Sequence, residues 1–133
     1  MPEESSLKER VLMLDSAAMV SEVSVLLFPE KRCLEEFYDY FEIRNRKAKL
    51  VPSPESFHDA LKELSGDDVW RNIAEKTESL FGLPKSVALF DDPDPIRDEL
   101  EGVDGLAPFF FVFDIMFCEY EGFTLCFISG TNN

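Results

Sequence analysis

Residues 109–117 read Phe-Phe-Phe-Val-Phe-Asp-Ile-Met-Phe, an aromatic and β-branched run interrupted once, by Asp114. Such residues suit the pleated surface of a strand, and the run is too short for a membrane span, which needs about 20 apolar residues. Strand side chains alternate between two faces, so a run apolar at nearly every step is stable only where both faces are covered. The segment is expected at the centre of a sheet with helices on at least one face. Tyr120-Glu121-Gly122 then forms a three-residue hairpin loop, Gly122 supplying the left-handed conformation that its third position needs. Residues 123–129 return. This register sets Phe117 opposite Leu125, Ile115 opposite Phe127 and Cys126 opposite Met116. Asp114 needs a partner there, from Arg71, Arg97 or backbone amides, or else is a proton-transfer group with a raised pKa.

Helical signals dominate before the hairpin. Ser6 and Glu9 match a capping box, with Leu7, Val11, Leu14 and Ala18 on one face beyond it. Residues 23–28 fit either the last turns of that helix or a buried strand, and helix is favoured. Pro29 suits the first turn of a second helix carrying Leu34, Phe37, Tyr38 and Phe41. The basic run Arg44, Arg46, Lys47 and Lys49 reads as a solvated loop. A third helix is capped by Ser53, with Pro54 first, Phe57, Leu61 and Leu64 on one side, and Gly66 as its stop. A fourth follows Asp67 or Asp68, lined by Val69, Ile73, Thr77 and Leu80, widened by Trp70 and Phe81, and ended by Gly82 and Pro84. Residues 87–90 make a short strand stopped by Asp91-Asp92-Pro93-Asp94-Pro95. Asp94 caps a last short helix with Ile96 and Leu100 inward and Gly102 at its end. No Gly/Ser linker or repeat divides the chain. The expectation is one α+β domain over residues 1–133, its N-terminal two-thirds helical and packed on a small, mostly antiparallel sheet that ends in the hairpin.

With 27 acidic and 13 basic residues among 133, the formal charge is −14. That disfavours nucleic acid and anionic membranes and favours a basic protein partner. The charged N-terminus has no signal-peptide core, and Cys33, Cys118 and Cys126 are odd in number with no CxxC or zinc spacing. A cytoplasmic location with reduced thiols is expected.

The charge is also uneven: residues 67–133 hold 14 acids and 4 bases, and residues 1–66 hold 13 and 9. It peaks at Asp91, Asp92, Asp94, Asp98, Glu99, Glu101 and Asp104, which Arg97 alone opposes. Counted from Asp92, a calcium loop would need glycine where Arg97 stands and a bidentate glutamate where Val103 stands, so no metal or cofactor is expected. His58 is the only histidine and lies in no catalytic motif. The acids are read as a partner-binding surface of a non-enzyme, with Tyr38 and Tyr40 adding aromatic contact because Phe37, Tyr38, Tyr40 and Phe41 are more than one helix face hides.

Segment 109–133, with its apolar strands, Glu119-Tyr120-Glu121-Gly122 turn and Gly130-Thr131-Asn132-Asn133 ending, resembles the C-termini of small acidic bacterial immunity-type proteins that accompany polymorphic toxins. The resemblance implies neutralisation of a cognate toxin by direct binding. The leading expectation is an immunity protein or inhibitor that occludes a basic, nuclease-like active site. The alternative is a small regulatory or structural module that forms a homodimer through its aromatic surface, its charge serving solubility.

Overall fold

The computed structural model describes residues 4–19, 23–29, 33–65, 70–92, 94–100 and 111–131. Five helices, α1 (Glu4–Met19), α2 (Cys33–Tyr40), α3 (Phe57–Ser65), α4 (Trp70–Phe81) and α5 (Asp94–Leu100), accompany five strands. These are β1 (Val23–Pro29), β2 (Leu50–Pro52), β3 (Ser86–Phe90), β4 (Phe111–Tyr120) and β5 (Phe123–Thr131). They form one antiparallel sheet in the order β1-β5-β4-β3-β2. The fold is α+β, and β4 is its central strand, as its apolar run requires.

Alternation along the strands divides the buried residues into two cores. Val25, Val87, Met116, Cys118, Leu125 and Phe127 face α1, α3 and α4, meeting Val11, Leu14, Phe57, Leu61, Ile73 and Ala74. Phe28, Phe90, Ile115, Phe117, Cys126 and Ile128 face α2 and α5, meeting Phe37, Tyr38, Phe41, Ile96 and Leu100. Phe37 anchors the second core, with ring centroids 5.0 Å from Phe41 and 5.4 Å from Phe117. Truncating a fully buried Phe of this kind costs about 3–5 kcal/mol.

Four sequence expectations are corrected. Residues 23–28 are strand, because pairing with β5 buries Val23, Val25 and Phe28, and Pro29 ends β1 instead of opening α2. Ser6 lies inside α1, which begins at Glu4. The α3 cap is Ser56, whose hydroxyl accepts the Asp59 amide at 3.3 Å, while Ser53 closes the preceding turn on Glu55. The hairpin register is shifted by one: Tyr120 pairs with Phe123, so Phe117 faces Cys126, Cys118 faces Leu125 and Ile115 faces Ile128. Glu121 and Gly122 alone make the turn, Gly122 at φ +87°. A bulge between Val112 and Asp114 then shifts the pairing back, so that Phe111 meets Thr131, and β5 runs two residues past the expected end of the return strand at Ser129.

Other expectations hold. Gly82, at φ +81°, ends α4, its amide donating to the Glu78 carbonyl at 2.9 Å. The Arg10 guanidinium donates to the Leu80 carbonyl at 3.0 Å and lies over the Phe81 ring, binding α1 to the negative end of α4. Gly66, Asp67, Asp68, Gly102, Phe109, Phe110, Asn132 and Asn133 lie outside the described residues, as do the side chains of Asp114 and Arg97. Asp114 is paired through its backbone with Ser129. Among the described residues no helix is long and apolar enough to cross a membrane.

Candidate functional site

The acidic segment begins where β3 ends. Asp91 donates its amide to the Lys49 carbonyl at 2.8 Å and accepts the Lys49 amide on its carboxylate at 2.9 Å, extending the β2–β3 pairing by one residue. The same oxygen accepts the Asp92 amide at 2.7 Å. The Asp92 carboxylate accepts the Asp94 amide at 3.3 Å, at the start of α5. One helix length on, Glu99 accepts the amides of Arg44 at 2.6 Å and Asn45 at 2.9 Å. These two hydrogen bonds, aided by the Arg44 and Arg46 charges, hold the Glu99 carboxyl below its ordinary pKa.

The basic loop 44–49, expected to be merely solvated, is therefore gripped at both ends by the acidic segment. Its middle is held as well. The Tyr38 hydroxyl donates to the Ala48 carbonyl at 2.8 Å. Arg46 folds back, with Nε donating to the Ile43 carbonyl at 2.9 Å, a 3.0 Å ion pair to Asp39, and its guanidinium over the Tyr38 ring. Burial raises the Tyr38 pKa, with Asp91 acting in the same sense.

The expected site residues thus divide by role. Asp91 and Glu99 are committed to amides of loop 44–49, and Asp92 accepts the Asp94 amide at the start of α5. Asp92, Asp94 and Asp98 are exposed beside them, and Glu101 lies outside the described residues. Tyr38 is corrected: only 4% exposed, it is a core residue with its hydroxyl committed, and Phe37 and Phe41 are buried with it. Tyr40 is 63% exposed and rests edge-on against Phe28 and Phe41, so it is the aromatic that α2 offers outward. Sequence reasoning missed the loop's part, because opposite charges separated by more than 40 residues carry no signal of contact before the fold is known.

Charge divides between the two helical layers. Among the described side chains, α2, the loop and α5 carry nine carboxylates, Glu35, Glu36, Asp39, Glu42, Asp91, Asp92, Asp94, Asp98 and Glu99, against Arg44, Arg46, Lys47 and Lys49. On α1, α3 and α4 the described carboxylates Glu9, Asp15, Asp59, Glu75 and Glu78 are matched by Lys8, Arg10, Lys62, Arg71 and Lys76. Among the described side chains, the acidic excess lies on the α2–α5 flank.

A depression of about 370 Å³ lies between the start of α3 and segment 83–87, lined by Pro52, Phe57, His58, Leu83, Pro84 and Lys85 among others. Its serine hydroxyls are engaged, Ser53 and Ser56 by nearby amides and Ser86 by the Glu119 carboxylate at 3.0 Å. His58 contacts Glu78. Cys118 and Cys126 are fully buried on opposite faces of the sheet, away from solvent and from each other, and burial raises the Cys118 pKa strongly. Among the described residues no group of three or more His, Cys, Asp or Glu side chains is placed to hold a metal ion.

No protein-family model matches the chain, and neither a curated protein nor a solved structure matches it.

Proposed function

We propose that this chain is a non-enzymatic binding protein whose α2–α5 flank docks a basic protein. The observation that carries the reading is the division of charge: among the described side chains, carboxylates outnumber cations on one helical layer and equal them on the other. A field gathered on one flank speeds encounter with a cationic surface and orients it, whereas charge serving only solubility has no need of a side. Asp92, Asp94 and Asp98 supply the exposed negative charge, and Tyr40 the apolar contact area. The likeness of the C-terminal hairpin to acidic immunity-type proteins gives the partner a concrete form. It is a cytoplasmic toxin of the nuclease kind, whose phosphate-holding groove the carboxylates fill.

Capture from the native host tests this, with Asp92→Asn/Asp94→Asn/Asp98→Asn in parallel. The expected result is a basic protein retained by the wild type, released by salt, and bound at least about tenfold more slowly by the variant, since neutralising steering charges acts mainly on association rate. Equal retention by both proteins, or retention indifferent to salt, overturns the reading.

A further inference from the structure

The acidic flank contains a cationic element that the basic-partner reading does not use. Loop 44–49 is held by its backbone, with the amides of Arg44, Asn45 and Lys49 on Glu99 and Asp91, leaving its outer side chains out of the clamp. Arg44, Lys47 and Lys49 are exposed, and among the described residues none has a carboxylate within ion-pair distance. Lys47 lines one side of a shallow depression of about 270 Å³, and Asp91, Asp92 and Pro95 line the other. Asp94 and Asp98 follow on α5, one helical turn apart. A positive strip and a negative strip thus lie side by side on one rigid patch.

Such a patch is self-complementary under two-fold rotation, because the positive strip of one copy then faces the negative strip of the other and the converse holds at the same time. We propose that this patch is a homodimer surface, on which loop 44–49 of each copy docks against Asp92, Asp94 and Asp98 of a second copy. A wholly acidic partner meets like charge at Asp92, Asp94 and Asp98, and a basic partner of the kind proposed above leaves loop 44–49 uncovered, whereas a second copy covers both strips. The clamps matter to the association: a loop already ordered in the monomer loses little conformational freedom on docking. The contact is polar, so the dimer is weak and reversible. Two bodies of charge −14 repel at long range. In about 0.15 M salt, where the screening length is about 8 Å, that repulsion is damped while contacts at ion-pair distance persist.

The test is sedimentation of the full chain in about 0.15 M salt at concentrations up to about 1 mM, which reaches dissociation constants in the millimolar range. The wild type is expected to approach twice the monomer mass with rising concentration. Lys47→Glu/Lys49→Glu keeps the backbone clamps and is expected to weaken self-association at least about tenfold. Asp94→Lys/Asp98→Lys is expected to do the same. An equimolar mixture of the two variants restores the dimer, because each now carries the strip the other lacks. A wild type that stays monomeric throughout overturns the proposal. So does a dimer indifferent to either variant, or one lost in both and not restored by mixing. Lys47→Glu/Lys49→Glu leaves the acids used by a basic partner in place, so loss of the dimer and loss of that partner are separately readable.

Discussion

Thr124 is fully buried on β5, and among the described residues its hydroxyl has no hydrogen-bond partner. A buried polar group left unpaired costs about 1–3 kcal/mol, and valine keeps the β-branched shape that suits a strand. Thr124→Val should therefore hold or raise the unfolding free energy, by up to about 1 kcal/mol after repacking. Urea denaturation measures it, and a loss of stability would mean that the hydroxyl contributes a bond. Glu99 shows the opposite case, a carboxylate fully employed by the Arg44 and Asn45 amides, with its pKa below the ordinary value of 4.5. A carboxyl whose folded pKa is depressed stabilises the fold above its unfolded pKa and loses that contribution as pH falls through the folded value. The Arg44 and Asn45 amide resonances should shift together as pH is lowered below about 4.5. Glu99→Gln should abolish that joint titration; amides that titrate independently, or a titration surviving in the variant, would refute the clamp.

Among the elements, β1 is an edge strand of apolar sequence, and α1 partly covers it. The Asp15 carboxylate accepts the Val25 amide at 2.8 Å, occupying a backbone donor on the side away from β5. Half-burial raises the Asp15 pKa, and the Val25 hydrogen bond offsets only part of that. Here the sign reverses relative to Glu99. A carboxyl with a raised folded pKa favours the fold while protonated, and stability falls as pH rises from the unfolded value through the raised one. Asp15→Asn keeps an acceptor for Val25 and carries no charge, so it should be more stable than the wild type at neutral pH, the gap closing toward acid. Thermal melts across pH measure this, and a less stable variant at neutral pH would mean the charge itself is favourable there. Elements differed in how plainly the sequence announced them. The α4 stop at Gly82 and the central place of β4 follow from local chemistry. The β1 strand does not, since an apolar stretch of seven residues suits a helix end equally until β5 is beside it. Nor does the hairpin register, because Gly122 serves a two-residue turn as well as a three-residue loop, and the bulge after Val112 leaves no composition mark.

On the scale of the whole molecule, the acids of the site were readable as acids and their division of labour was not. Whether a carboxylate is offered to a partner or spent on an amide depends on what the fold carries past it, and Asp91 and Glu99 are spent because loop 44–49 passes them. What remains is an uneven field, and unevenness has a cost in the free protein. Carboxylates crowded on the α2–α5 layer repel one another, whereas the described ones on the α1–α3–α4 layer sit among equal numbers of described cations. Added salt should therefore stabilise the fold chiefly by screening the first layer, most of the gain arriving by about 0.15 M as the screening length falls toward about 8 Å. Neutralising Asp92 and Asp98 as asparagine should flatten that salt dependence and raise stability at low salt. Neutralising Asp59 and Glu75 on the opposite layer, as Asp59→Asn/Glu75→Gln, should leave the dependence intact, because it removes attraction as readily as repulsion. Unfolding free energies of the two double variants and the wild type, taken along a salt series, decide the matter. Parallel responses from both variants would mean that the molecule feels only its total charge, and the flank would lose its standing as a surface set apart.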